Sequence, residues 1–351
     1  MKKWSEAFQV ASVYVGTIVG AGFATGREIV EFFTRFGFLG TIAIFLAGIL
    51  FIVMGSKIML VAIEIKAKSF EQLNEYLFGR RLALIMNIFL MVMLTGVCAV
   101  MLSGSEALFT EQLGLPSRTG LIFTIILTLF VMASGVKGLF AVNTLVVPMM
   151  VIFNFLVMLS VLKLGSVSIP LLHFSGVDRG GEAVLSAFSY AAFNLALAQA
   201  VLVPMAAEIK DRTAVKLGGV IGGLLLTVIL LSSHVSLGTL PDPAGYEIPM
   251  AVIVKKAAGA LYYLYILIIY GEIFTSLIGN LYGLERQIRG YVPIHSFWIH
   301  ICIFLVVYLV SLVKYGTLLE LLYPLFGYIS IGFLILLLIR PIKEAGTKPS
   351  K

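Results

Sequence analysis

Ten stretches of mainly apolar residues follow one another along this chain, at about 6–33, 38–64, 82–112, 119–136, 139–163, 181–207, 216–239, 251–284, 295–313 and 317–340. About 20 such residues let an α-helix cross the hydrocarbon of a bilayer. A segment at that depth must satisfy its own backbone, which helices do within a single span. The pattern therefore predicts an all-α polytopic membrane protein, one transmembrane domain over residues 1–351 with no soluble domain appended. Composition agrees: 60% of residues are hydrophobic and 12% charged, against roughly 45–50% and 25% in soluble domains. The net charge of +7 is spread over short loops, not gathered into the patch or stripe that binds nucleic acid. The expected partners are the lipid bilayer and a small-molecule substrate, with no nucleic acid. Cys98 and Cys302 both lie in apolar runs, so neither a disulfide framework nor a cysteine metal site is expected. Lys2 and Lys3 ahead of an apolar run resemble a signal peptide, but Glu6 and the length of the run favour a first membrane span.

Lysine and arginine set the expected orientation. With the N-terminus inside, Lys2, Lys3, Lys57, Lys66, Lys68, Arg80, Arg81, Lys210, Arg212, Arg286 and Arg289 fall on the cytoplasmic side, whereas Arg35, Arg118, Lys163 and Arg179 are among the few outside. This excess predicts a multi-pass protein of the cell membrane with both termini cytoplasmic. The stretch "SFEQLNEYLFG" (Ser69–Gly79) places Gln72 three residues after Ser69, which predicts a capped amphipathic helix on the membrane surface.

The two halves of the chain echo each other. "EAFQVASVY" (Glu6–Tyr14) and "EAVLSAFSY" (Glu182–Tyr190) match at Glu, Ala, Ala and Tyr with a shift of 176, which also separates Pro148 from Pro324. Gly96 and Gly104 recur as Gly271 and Gly279, shifted by 175. Repeat one spans about 5–165 and repeat two about 180–341, five helices each. An odd number of spans inverts the second copy, giving the 5+5 inverted repeat of secondary transporters.

Within span 1, "VGTIVGAGFATGREIVEFF" (Val15–Phe33) holds Gly16, Gly20, Gly22 and Gly26 and then Arg27, Glu28 and Glu31. Two readings fit the glycines. Pairs four residues apart, Gly16/Gly20 and Gly22/Gly26, suit tight helix packing. Alternatively they mark a break near the midplane, where freed carbonyls bind a cation and exposed N–H groups bind an anion. The repeat favours the break, and predicts a discontinuous first helix in each repeat.

"GTIVGAG" (Gly16–Gly22) resembles the unwound first helix of the neurotransmitter:sodium symporters and the wider amino acid–polyamine–organocation superfamily, the leucine-transporter fold. "GEIFTSLIG" (Gly271–Gly279) carries a Thr-Ser pair where those symporters hold sodium. The resemblance implies a sodium site made by the backbone carbonyls of Gly16, Val19 and Glu272 with the hydroxyls of Thr275 and Ser276. Helical spacing puts Glu272, Thr275, Ser276 and Gly279 on one face; the hydroxyls could equally bond back to carbonyls one turn earlier. Over all ten spans the chain also resembles the YkvI-like bacterial amino-acid permease family. Span 6 departs from the symporter pattern, with no glycine between Gly181 and Gly218. The repeat register puts its break near Ala192-Phe193-Asn194, with Pro204 a second weak point.

The superfamily's architecture implies a substrate pocket of Ala21, Gly22, Phe23 and Thr25 from span 1, Ser103 from span 3, and Tyr190, Phe193 and Asn194 from span 6. Half-helix N–H groups near Ala21–Phe23 would suit the carboxylate of an amino acid or similar zwitterion. Ionisable groups inside a membrane are functional candidates. Glu272 is expected as a coupling carboxylate or a structural acid, and Arg27 with Glu106 as an outer gate or a plain ion pair. Glu28 and Glu31 are expected in a wet vestibule or paired with Arg27 and Arg35, and Glu208 in solvent. His173 and His295 lie near loops, while His234 and His300 stand alone on apolar spans; none has metal-ligand spacing. No cofactor, metal beyond sodium, or enzymatic constellation is expected. The function read from the chain is ion-coupled, sodium first, symport of a small zwitterion by alternating access. Related permeases that run on protons place a lysine in span 5; here Lys163 sits at that span's end. Glu272 keeps a proton-coupled permease as an alternative, and nutrient sensors of the same superfamily supply a non-transporting one.

Overall fold

The computed structural model describes residues 2–116, 118–134, 136–163, 179–246, 248–257, 259–292, 294–311 and 315–339. His173, the end of repeat one beyond Lys163 and the charged tail from Arg340 lie outside the described residues. The described residues are helical almost throughout. In order they form α1 (Lys2–Ile18), α2 (Ala21–Thr25), α3 (Arg27–Phe32), α4 (Phe38–Leu50), α5 (Ser56–Ile65), α6 (Phe70–Phe78), α7 (Arg80–Ala107), α8 (Thr119–Met132), α9 (Val136–Lys163), α10 (Gly180–Ile209), α11 (Arg212–Leu237), α12 (Pro249–Ala257), α13 (Tyr262–Arg289), α14 (Ser296–Val310) and α15 (Tyr315–Ile339). Among the described residues, six continuous helices are long and apolar enough to cross a membrane: Phe38–Ile65, Arg80–Thr110, Lys137–Lys163, Gly180–Ile209, Arg212–Leu237 and Tyr262–Arg289. Shorter apolar helices cover Thr119–Met132, Ser296–Val310 and Leu325–Ile339. The expected run 251–284 is divided differently, because Pro249 starts the separate helix α12 and the long helix begins only at Tyr262.

Two groups of helices emerge from the packing. In the first, α1 lies along α11, and α10 and α11 both pack on α4 and α5. Small residues allow this: Gly218 faces Ala7 and Val10, Gly222 faces Tyr14, and Gly219 and Gly223 face Ser56 and Ile52, the close approach that glycine gives membrane helices. A π-helical turn, Phe51–Gly55, separates α4 from α5. There the buried Tyr14 hydroxyl donates to the Phe51 carbonyl at 2.8 Å, satisfying backbone at a place where the usual ladder is disturbed. In the second group α7, α8, α13 and α14 pack together, while α9 touches α1, α11 and α13.

The surface helix α6 packs on α7, α10 and α13 and buries Phe70, Leu73 and Leu77. Its cap differs from expectation. Ser69 makes no side-chain cap bond; instead Gln72 accepts from the N–H of Lys68 at 2.7 Å. The larger correction concerns span 6. Its helix α10 runs unbroken from Gly180 to Ile209, through Ala192, Asn194 and Pro204. Asn194 turns its amide back to the Tyr190 carbonyl at 3.0 Å, so the side chain expected to relieve a break bonds within the helix. Span 1 is thus discontinuous and span 6 continuous.

Candidate functional site

Helix α1 stops at Ile18, and Val19 and Gly20 are not helical. Gly20 is extended, α2 lasts five residues, and Gly26 turns at φ 84° into α3. The single continuous helix of the packing reading is excluded, although the glycines also admit neighbours. The Asn143 side chain of α9 fills the place a Cβ on Gly16 would take, and Met101 and Ser276 crowd Gly20.

The break leaves the Gly16 and Val19 carbonyls facing α13. Thr275 Oγ1 donates to the Glu272 carbonyl at 3.0 Å, the local bond that hydroxyls in helices make unaided. Ser276 behaves differently. Its Oγ reaches across to α1, 3.2 Å from the Gly16 oxygen and in contact with the Val19 oxygen. A hydroxyl has one proton, so it serves one of these carbonyls at a time. Thr275, Ser276 and Glu272 are all buried, Glu272 with 2% of its surface exposed. The Glu272 Oε2 and the Asn143 Oδ1 have no hydrogen-bond partner among the described residues. Of the five residues expected at the ion site, Ser276 thus meets Gly16 and Val19, while Thr275 and Glu272 bond to each other within α13. Among the described residues no three His, Cys, Asp or Glu gather for a metal.

On the side of the break away from the N-terminus, a cleft of about 600 Å³ opens between α3, the start of α10, and α15. Its lining includes Arg27, Glu28, Glu31, Phe32, Arg35, Ser186, Ser189 and Tyr323. Glu31 pairs with Arg35 at 2.5 Å and both are exposed, as expected. Glu28 instead is buried, 7% exposed, and lies over Gly22, with Oε2 2.7 Å from where a Cβ on that glycine would stand. Tyr190 and Asn194 of α10 come alongside the carboxylate. Tyr190 is enclosed by Phe32, Phe33 and Phe51, and Phe193 lies against Tyr323 with ring centroids 4.8 Å apart.

Of the expected pocket residues, Gly22, Tyr190, Phe193 and Asn194 gather around Glu28 and Tyr323. Phe23 is buried in the core of the break, and Thr25 Oγ1 donates to the Gly22 carbonyl at 3.1 Å. Ala21 begins α2. Ser103 is half-buried on α7 and is absent from the lining of the cleft. Arg27 donates to the Tyr246 carbonyl at 3.4 Å, and Glu106 accepts from the Arg118 N–H at 3.2 Å. Sequence reasoning missed Tyr323, Asn143 and the burial of Glu28. For Tyr323 a signal existed, since the repeat register pairs its neighbour Pro324 with Pro148.

The opposite end of the bundle is closed by charge. Glu208 is no free solvated group: it binds Arg286 and, at 3.1 Å, accepts from the Tyr282 hydroxyl. Gln287 donates to Glu71 of α6 at 3.0 Å, and Tyr291 also binds Glu71. Beside Glu71 the Tyr291 hydroxyl loses its proton less readily, its pKa pushed up to about 12, first by burial and then by that carboxylate. His300 sits 3.0 Å from Glu285. His234 bridges Thr34 and Thr41, 3.1 Å from each.

No family model matches the chain. It is similar to the membrane protein YkvI of Bacillus subtilis (strain 168), 47% identical over 335 residues that make up 95% of this chain and 96% of that one. The protein YyaD of the same organism is 25% identical over 97% of this chain and 98% of its own. Among solved structures, MhsT in complex with L-phenylalanine superposes with a TM-score of 0.71 at 15% identity, covering 94% of this chain and 88% of its own. A manganese transporter of Eremococcus coleocola does so with a TM-score of 0.69 at 15% identity, covering 96% and 78%. The chain therefore shares its fold, that of the leucine-transporter group, with these proteins, one of which is a manganese transporter.

Proposed function

The chain belongs to the YkvI family of multi-pass membrane proteins, and we propose that it is an ion-coupled secondary transporter of a small molecule, working by alternating access. The observation that carries this reading is Ser276, whose hydroxyl leaves its own helix to meet the two carbonyls freed by the break, Gly16 and Val19. A packing hydroxyl has no need of that position. Sodium is the ion that suits backbone carbonyls and neutral hydroxyls, and an amino acid or related zwitterion is the substrate class proposed. The fold neighbours include one protein in complex with L-phenylalanine and one manganese transporter; the lack of a three-ligand cluster among the described residues favours an organic cargo. Ten spans in two inverted sets of five, with both termini cytoplasmic, put the cleft beside Glu28 on the outer side. The unpartnered Glu272 oxygen supports a second reading in which protons drive transport.

Uptake of a labelled amino-acid mixture into proteoliposomes tests this, with sodium and proton gradients imposed separately. Sodium-driven uptake is expected in the wild type and its loss in Thr275→Ala/Ser276→Ala. Uptake driven by protons alone and indifferent to those changes would move the coupling to Glu272. Folded protein with no uptake under either gradient would overturn the transporter and leave a sensor on the same fold.

A further inference from the structure

Three acidic side chains line the cleft, and they are not equivalent. Glu31 and Glu182 are exposed, and each has an arginine within salt-bridge distance, Arg35 and Arg179. Glu28 is buried at the floor, beside the helix break. No basic side chain pairs with it among the described residues, and its Oε1 has no hydrogen-bond partner. The buried Tyr190 hydroxyl and the Asn194 amide come next to the same carboxylate, and the Tyr190 oxygen keeps a lone pair that can accept. Around these two oxygens stand the rings of Tyr190, Phe193 and Tyr323.

Buried polar groups left without partners are costly, and a buried acid without a counter-charge most of all. A ligand carboxylate brought to this floor would add a like charge beside Glu28. An ammonium would do the reverse. It has three donors and no acceptor, so it can satisfy the Glu28 Oε1 and the Tyr190 oxygen together, and aromatic faces attract it. A divalent ion would want further anionic ligands, and no three-ligand group of His, Cys, Asp or Glu exists among the described residues.

We propose that Glu28 is the counter-charge for the ammonium group of the transported molecule, which enters the cleft with its amine end towards the break at Gly22. The word "transported" rests on the function proposed above; the amine site itself does not. The half-helix was expected to hold a carboxylate; the protein's own carboxylate lies there, and the ligand's positive end faces it.

Thermal-shift and calorimetric binding to the purified full chain test the assignment, using as probes the common amino acids, the amines formed by their decarboxylation and the acids formed by their deamination. Members that keep the amine are expected to bind, and their deaminated counterparts are not. Glu28→Gln should weaken amine binding by about tenfold or more, the scale of one charge-assisted contact, and Tyr190→Phe by a smaller factor. A deaminated acid binding as well as its parent, wild-type affinity in Glu28→Gln, or no binding by any amine would each overturn the proposal. The comparison of amine with acid in the wild type needs no variant, so a misfolded Glu28→Gln would not shield it. Amine binding without uptake would sink the transporter and keep this site; uptake of the deaminated acids would do the opposite.

Discussion

Gly26 shows how one residue shapes the site. At φ 84° it occupies left-handed backbone, and a Cβ there would meet the Met250 side chain at 2.8 Å. That conformation costs an L-residue roughly 1–2 kcal/mol before the collision is counted. Gly26→Ala is therefore expected to lower the melting temperature in detergent and to disturb α3, which carries Glu28 into the cleft. An unchanged melt would mean that the turn tolerates other backbone. The glycines of this stretch fitted tight packing as well as a break, and the internal repeat favoured the break. The burial of Glu28 was not legible. It stands in the run Arg27-Glu28-Ile29-Val30-Glu31, where composition gives two acids and one base the same standing. Only the turn at Gly26 decides that Glu28 points back over Gly22 while Glu31 points to solvent.

At the scale of elements, helix ends carry their own chemistry. Asp211 starts α11, its Oδ1 accepting from the N–H of Thr213 at 2.8 Å and of Ala214 at 3.2 Å. The N–H groups of Ala214 and Thr213 hold its carboxyl below the usual carboxylate range. A lowered pKa in the folded state contributes stability above the unfolded value, near 3.9, that is lost as pH falls through the folded one. Protection of the first-turn amides of α11, relative to the intrinsic exchange rate at each pH, should accordingly persist at neutral pH and be lost only below about pH 4. Asp211→Ala should lose that protection at every pH, and Asp211→Asn should keep most of it. Helix existence was readable from apolar length, and so was the discontinuity of span 1. The continuity of span 6 was not, since it depends on where Asn194 spends its amide. Sequence symmetry with span 1 argued for a break; a bond of 3.0 Å to Tyr190 within the same helix replaces it.

In the whole molecule, one end of the bundle holds the cleft and the other is tied by Glu208, Arg286, Glu71 and Gln287 across α6, α10 and α13. On the proposed orientation this is a form open to the outside. Ser189 lines the cleft, so Ser189→Cys in a Cys302→Ser background should react with a membrane-impermeant maleimide added to intact cells. Protection of that cysteine in cells, with labelling from inverted vesicles, would reverse the orientation. The ties at the closed end join residues more than 70 positions apart and leave no local pattern in the sequence.

Length gives the unbroken α10 a further meaning. Its 30 residues form a rod of about 45 Å at 1.5 Å each, against a hydrocarbon layer about 30 Å thick. Such a rod must lean or protrude. It carries Ser186, which binds the Phe32 carbonyl at 2.7 Å, near one end and Glu208, which binds Arg286, near the other. A stiff beam fastened at both ends cannot shift at one face of the membrane without moving at the other. The jointed first helix can yield where it stands, so the molecule pairs one flexible member with one rigid crossbar.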